Sequence, residues 1–182
     1  MKLLIASDIH GSALYCEKLF DAAEKEGFDR ILLLGDLLYH GPRNDLPDGY
    51  DPKKVIDILN GYKDKIFCVR GNCEAEVDQM VLKFPVMADY ALISTDKNII
   101  FATHGHIYNE NTPPSLQYGD ILLNGHTHIP KCTRYGNFVY LNPGSVSIPK
   151  ENSPHSFMMF DGKTFLWKDI KDGRVYSEYE LW

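Results

Sequence analysis

Seven residues of the kinds that hold metal ions stand where apolar runs of the chain end. Asp8 and His10 follow the run at 2–6, in Asp8-Ile9-His10-Gly11. Asp36 follows the run at 30–34, in Gly35-Asp36-Leu37. Asn72 follows 65–69, in Gly71-Asn72-Cys73-Glu74. His104 follows 99–103 and precedes Gly105-His106, while His126 and His128 follow 121–124 in Gly125-His126-Thr127-His128. Carboxylate, imidazole and amide oxygen together suit hard to borderline divalent ions such as Mn²⁺, Fe²⁺ or Zn²⁺. Seven donors exceed one ordinary transition-metal site and suit two ions about 3.5–4 Å apart, bridged by a carboxylate. Asp-x-His and His-x-His place alternate residues on one side of an extended segment, so both members can face one cluster. Each motif alone is weak: carbonyls satisfy a histidine, a turn uses an Asn, and a helix cap uses an Asp. Five of them in order, each closing a buried run, carry the metal reading.

The elements that must position these donors are legible around them. The runs at 2–6, 30–34 and 65–69 are short and almost continuously apolar, as buried parallel strands are. Between the first two, Ala13, Cys16, Phe20 and Ala23 form a helical stripe with Ser12 as N-cap. A second helix has Asp51 as N-cap, Pro52 at its first position, Val55, Ile56 and Leu59 inside and Gly61 as its stop. The result is a right-handed βαβαβ unit, and ligand sites lie outside the carboxyl ends of such strands. The long polar loop at 40–51, directly after the Asp36 turn, is placed to line a site. Beyond residue 85, short β-branched and aromatic segments at 90–94, 99–103, 121–124, 138–141, 157–160, 165–168 and 175–179 predict a strand-rich second half. Turns such as Gly136-Asn137 and Asp161-Gly162 separate several of them. No Pro/Ser linker interrupts the chain, which predicts one domain over 1–182 with two sheets facing each other and helices outside.

Composition agrees and excludes alternatives. A length of 182 residues fits one domain at about 150 residues per domain. With 44% hydrophobic and 24% charged residues, the chain can bury a core and is no candidate for disorder. The balance of 25 acidic against 19 basic residues, net −6, argues against strong nucleic-acid binding. No apolar run reaches the roughly 20 residues of a membrane span, and Asp8 interrupts the start too early for a secretory segment. Cys16, Cys68, Cys73 and Cys132 form no Cys-x-x-Cys pair, so reduced thiols and a cytoplasmic location are expected.

The ordered set Asp-x-His, Gly-Asp, Gly-Asn-Cys, Gly-His and Gly-His-x-His resembles the calcineurin-like metallophosphoesterases over nearly the whole chain. His-Gly-Pro-Arg-Asn at 40–44, Gly-Asn-Cys-Glu at 71–74, Thr-His-Gly-His at 103–106 and Leu-Asn-Pro-Gly-Ser-Val-Ser at 141–147 are similar, within them, to the small bacterial YfcE-type phosphodiesterases. The resemblance implies an α/β fold, a four-layer α/β/β/α sandwich with two facing mixed β-sheets. It implies that Asp8, His10 and His128 hold one ion, Asn72, His104 and His126 the other, and that Asp36 bridges. The cofactors would be two divalent ions, Mn²⁺ foremost, with Fe²⁺, Zn²⁺ or Ni²⁺ as alternatives. A water or hydroxide between them would attack phosphorus in line, and the substrate would be a small phosphodiester. The rival readings are a phosphomonoesterase of the same fold and a non-catalytic, protein-binding scaffold. A scaffold is expected to lose donors, yet all seven positions are competent.

Asp36, Asn72, Cys73 and His106 are the candidate catalytic residues, and His40 and Arg43 the candidate substrate contacts. Arg43 can grip phosphate bidentately. Many relatives carry His where Cys73 stands; a thiol is a weak, uncharged donor, so a preference for diesters over monoesters is expected. The turn Asn142-Pro143-Gly144-Ser145 is expected to shape the pocket wall and His155 to lie on the surface. Tyr176, Tyr179 and Trp182, with Val175 and Leu181, suggest a sheet face or a homo-oligomer contact.

Overall fold

The computed structural model describes residues 1–181. Strands β1 (Leu3–Ala6), β2 (Arg30–Leu33) and β3 (Ile66–Cys68) run parallel, joined through helices α1 (Ala13–Glu26) and α2 (Pro52–Gly61). A short helix α3 (Glu76–Val81) follows, then β4 (Ala91–Ser94), β5 (Ile99–Ala102), β6 (Asp120–Leu123), β7 (Lys131–Tyr135) and β8 (Phe138–Asn142). The chain ends in an antiparallel meander of β9 (Ser156–Phe160), β10 (Thr164–Asp169) and β11 (Val175–Glu180). One mixed sheet has the order β11-β10-β9-β1-β2-β3 and the other β4-β5-β6-β8-β7.

The side-chain period of two explains how the layers stack. Leu3 and Ile5 of β1 meet Ile121 and Leu123 of β6 in a core between the sheets, which also holds Trp167. Leu4 and Ala6 point the other way, against Cys16, Leu19 and Phe20 of α1 and Val55 and Leu59 of α2. With both faces covered, all four β1 residues are buried, which is why the strand reads as a continuous apolar run. The capping is as expected: the Ser12 side chain accepts from the Tyr15 amide and that of Asp51 from the Lys54 amide.

The α/β class and the two facing mixed sheets match expectation; the outer face of the second sheet differs in detail. There Leu122, Phe138 and Tyr140 are covered by Leu116 and the flanking Phe101 and Tyr135. Among the described residues no helix lies between β5 and β6; the segment at 103–119 is a hydrogen-bonded loop. Pro113-Pro114 and the Asn and Gly residues there favour turns over helix. Strand β7 has no counterpart among the expected segments. Its Lys-Cys-Thr-Arg-Tyr sequence lacks an apolar run because it is an edge strand with alternately exposed residues. His155 is half-buried rather than on the surface: its ring stacks on Tyr15 at 3.8 Å and its Nδ1 contacts the Val146 carbonyl at 2.8 Å. Tyr176, Tyr179 and Leu181 pack against the inter-sheet core, so they form a sheet face, while Trp182 lies outside the described residues.

Candidate metal centre and substrate cleft

The turns after the strands carry the donors, and they are knitted together by backbone hydrogen bonds. The Asp8, His10 and Gly11 amides donate to the Gly35, Asp36 and Leu37 carbonyls, so the turns after β1 and β2 run side by side. The Gly125 amide donates to the His104 carbonyl, joining the turns after β6 and β5. The His126 amide donates to Asp8 Oδ2 at 3.0 Å, tying one sheet's turn to the other's. Asp8, His10, Asp36, His126 and His128 all have φ between +49° and +66°. This left-handed region costs a non-glycine residue about 1 kcal/mol and persists where surroundings impose it, as at functional sites. No room remains beside them: a Cβ on Gly71 would collide with Asp36 Oδ1, and one on Gly125 with the Ser7 hydroxyl.

The side chains converge in two groups that meet at Asp36. In the first, His10 Nε2 and His128 Nε2 are 3.2 Å apart, and Asp8 Oδ1 lies 3.6 Å and 3.3 Å from them. In the second, His104 Nε2 lies 3.1 Å from both Asn72 Oδ1 and His126 Nδ1. Asp36 faces both, with Oδ2 3.7 Å from His10 Nε2 and Oδ1 3.5 Å from His104 Nε2. The outward nitrogens are fixed: Nδ1 of His10, His104 and His128 sits 2.7–2.8 Å from the carbonyls of Tyr39, Leu34 and Ile148. A carbonyl accepts, so each Nδ1 donates and each Nε2 turns inward, as metal-bound histidines do.

The electrostatics of the cluster favour positive charge at its centre. Burial alone would raise the Asp8 carboxyl, but the His10 and His128 rings beside it and nearby imidazole charge hold it well below the usual range. Asp36 is lowered too, because His104 outweighs its burial. His104 is buried, which disfavours its charge, yet the hydrogen bond to Asp36 and the charges of Asp8 and Asp36 raise it to about 9. His126, with burial and the His104 charge both against it, falls to about 4. Asp8 Oδ1 is buried without a hydrogen-bond partner. One proton can serve only one of these close contacts, whereas a divalent cation serves a whole donor group at once. The residues present therefore fit divalent metal; Asp8, His10 and His128, and separately Asp8, Asp36 and His104, bring donor atoms within 4.8 Å of one another.

A cleft of about 400 Å³ opens onto the cluster. His10, Asp36, Asn72, His126 and His128 line it, together with residues 41–44 of the loop, Cys73 and Lys150. Arg43 is thus on the cleft and His40 is not: its ring sits edge-on to Tyr39 and Tyr50 at 4.7 Å and 5.4 Å. His106 also lies outside the cleft lining, 5.4 Å ring to ring from His104 and 6.3 Å from His126. The Cys73 amide donates to Asp36 Oδ1 at 2.9 Å, and burial with the Asp36 charge pushes its thiol up. A somewhat larger groove, about 480 Å³ between α1 and residues 170–173, holds none of the donors.

The roles of four residues escape sequence reasoning. Glu74 is buried, and its carboxylate accepts from the Asp36, Leu37 and Gly71 amides. Its place directly after Gly71-Asn72-Cys73 was the available signal. Ser145 and Ser147 both donate to the Asp8 carbonyl, at 2.9 Å and 3.1 Å, so the segment at 142–147 supports Asp8 from behind, and the 142–145 turn does not line the cleft as expected. Lys150 carries no motif.

Comparison with known proteins places this geometry. The profile of the calcineurin-like phosphoesterase superfamily domain matches residues 1–164. The phosphodiesterase YfcE of Escherichia coli K12 is 46% identical over 181 residues, covering 100% of this chain and 98% of the relative. The solved structure of YfcE, a phosphoesterase from E. coli, superposes with a TM-score of 0.95 at 41% identity over 100% of both chains. Zinc-complexed Vps29 from Entamoeba histolytica shares the fold, with a TM-score of 0.64 at 20% identity over 100% of this chain and 99% of that one.

Proposed function

The chain belongs to the calcineurin-like phosphoesterase superfamily, and on that footing we propose that it is a metal-dependent phosphodiesterase, a phosphoric ester hydrolase acting on small diesters. The observation that carries the reading is Asp36 facing both donor groups, Oδ2 to His10 and Oδ1 to His104. In this assignment Asp8, His10 and His128 hold one divalent ion and Asn72, His104 and His126 the other, with Asp36 shared. Mn²⁺ heads the candidates for this oxygen- and nitrogen-rich set, ahead of Fe²⁺, Zn²⁺ and Ni²⁺. Bound there, the pair would acidify a water and neutralise phosphoryl charge.

The chain's own residues do the rest. The carbonyls of Tyr39, Leu34 and Ile148 fix the tautomers of His10, His104 and His128, so no reorganisation is needed when a substrate arrives. Asn72 contributes as a neutral donor, which keeps the cluster from repelling an anionic substrate. Arg43, on the cleft wall, is the candidate contact for a phosphate of the substrate. His40, edge-on to Tyr39 and Tyr50, steadies the loop that carries Arg43 rather than touching substrate. His106 supports His104 and His126 from outside the cleft. Four free cysteines fit a reducing, cytoplasmic setting, and among the described residues no helix is long and apolar enough to cross a membrane.

The deciding experiment is hydrolysis of an aryl phosphodiester and its matching monoester by the Mn²⁺-loaded protein. Diester turnover well above monoester turnover is expected; activity on monoesters alone would move the assignment to a phosphomonoesterase. EDTA should abolish activity, and Mn²⁺ should restore it. The fold should survive chelation, because the inter-sheet core and the helix–sheet core need no metal. A far-ultraviolet circular dichroism spectrum that collapses with EDTA would contradict this.

Cys73 supplies a separate check. Cys73→Ser should retain diester activity within about threefold, since a thiol and a hydroxyl are both weak neutral donors. Cys73→His should raise monoester turnover relative to diester by about tenfold or more, because a cationic donor assists a poor leaving group by typically 10²–10⁴. An inactive Cys73→Ser would make the thiol a catalyst, and loss of metal on thiol alkylation would make it a ligand.

A further inference from the structure

The cleft has two cations, Arg43 and Lys150, and neither forms an ion pair among the described residues. Both are exposed; of the cluster residues on the cleft, His10, Asp36 and His128 are buried, His126 is half-buried and Asn72 is exposed. Lys150 is held in place by its backbone: its amide donates to the His128 carbonyl at 3.2 Å. Its own carbonyl accepts from the Ser153 amide at 3.0 Å and from the Ser153 hydroxyl at 2.6 Å. The turn closed this way puts Glu151 and Asn152 at φ +53° and +57°, a conformation costly for residues with side chains. The same segment holds the His128 ring through the Ile148 carbonyl. Lys150 is therefore registered against a donor of the metal cluster instead of hanging from a free loop.

In a chain of net charge −6, two unpaired cations around a cleft are an anion attractor. The metal donors answer the reacting phosphoryl group, and Arg43 and Lys150, which belong to neither donor group, are the cations left on the cleft wall for a further anion. A cleft of about 400 Å³ is in the range that takes a small molecule rather than a single ion. We propose that Lys150, together with Arg43, forms a subsite for a second phosphate on the substrate. The preferred substrates then carry a phosphomonoester on one arm of the diester. The inference rests on the phosphodiesterase reading and names its substrate class. Arg grips a phosphate with its planar fork and Lys adds a point charge.

The test compares thymidine 5′-(p-nitrophenyl phosphate) with the same ester carrying a 3′-phosphate, in Mn²⁺. The leaving group is identical, so the ratio of kcat/KM values reads only the second phosphate. Wild type should prefer the 3′-phosphorylated ester by about tenfold, as a charge-assisted contact at a partly exposed site would give. K150Q should reduce the ratio to about twofold, K150R should restore most of it, and added salt should shrink it in wild type. Calorimetry supplies a readout independent of turnover: thymidine 3′,5′-bisphosphate should bind wild type more tightly than thymidine 5′-monophosphate, and K150Q should lose that margin. Metal per chain should be the same in K150Q and wild type. A ratio near one in wild type, an unchanged ratio in K150Q, or loss of metal in K150Q overturns the subsite. If neither ester is hydrolysed, the phosphodiesterase reading fails, and the binding margin still decides the role of Lys150.

Discussion

Asp36→Asn lowers kcat by about 10³-fold or more and strips metal from both donor groups. The carboxylate presents one oxygen to each group, at 3.7 Å from His10 Nε2 and 3.5 Å from His104 Nε2. Asparagine keeps the shape but removes the shared negative charge and turns an NH₂ toward one of the groups, where it can only donate. Losing metal-based charge stabilisation forfeits several kcal/mol of barrier lowering, and each 1.36 kcal/mol is tenfold. His10→Ala should behave differently, because His10 belongs to one group only; about one ion per chain should remain. Elemental analysis of the purified variants separates the cases, with circular dichroism to show that each is folded. A full two-ion complement in Asp36→Asn would remove the bridge from the assignment.

What the sequence showed of this site follows from where chemistry and folding coincide. Asp8, Asp36, Asn72, His104 and His126 stand within four residues of the end of a strand. An apolar run followed at once by a polar donor is readable without a structure. The α1 and α2 boundaries were readable because Ser12 and Asp51 cap through their own side chains. Strand β7 was not, since at a sheet edge its residues alternate with solvent and leave no apolar run. The left-handed backbone at five donors was equally silent, because Asp and His tolerate that region better than most residues but adopt it in few of their occurrences. Lys150 and Ser145 arrive from the return of the chain between β8 and β9, more than 130 residues after Asp8, and no local pattern encodes that meeting. His155 failed for the same reason: its partner Tyr15 lies on α1, at the other end of the chain.

Glu74→Ala destabilises the protein by about 3–5 kcal/mol, the largest loss expected from any single residue outside the apolar cores. The carboxylate is buried and accepts three backbone amides, Asp36 at 2.9 Å, Leu37 at 2.7 Å and Gly71, and among the described residues it forms no ion pair. Burial and the Asp36 charge raise its pKa, and the three amide bonds oppose that rise. It thus fastens the turn after β2 to the turn after β3, the two segments that carry Asp36 and Asn72. Alanine leaves three donors without partners, at about 1–3 kcal/mol for each that water cannot reach. Against a total stability of 5–15 kcal/mol typical of native proteins, that approaches unfolding. Because such a variant can fail through the fold alone, Glu74→Gln is the sharper probe. Its amide fits the same space and keeps one accepting oxygen, but sets an NH₂ against at least one of the three donors. Gln should cost about 1–2 kcal/mol in urea unfolding while weakening metal binding by about 10–100-fold, the range for residues that orient ligands. A purely structural Glu74 would shift the urea midpoint and leave the metal dissociation constant alone. A positioning Glu74 moves both, and kcat falls with them because Asp36 no longer faces the two donor groups squarely. Metal affinity equal to wild type in Glu74→Gln would confine the residue to stability.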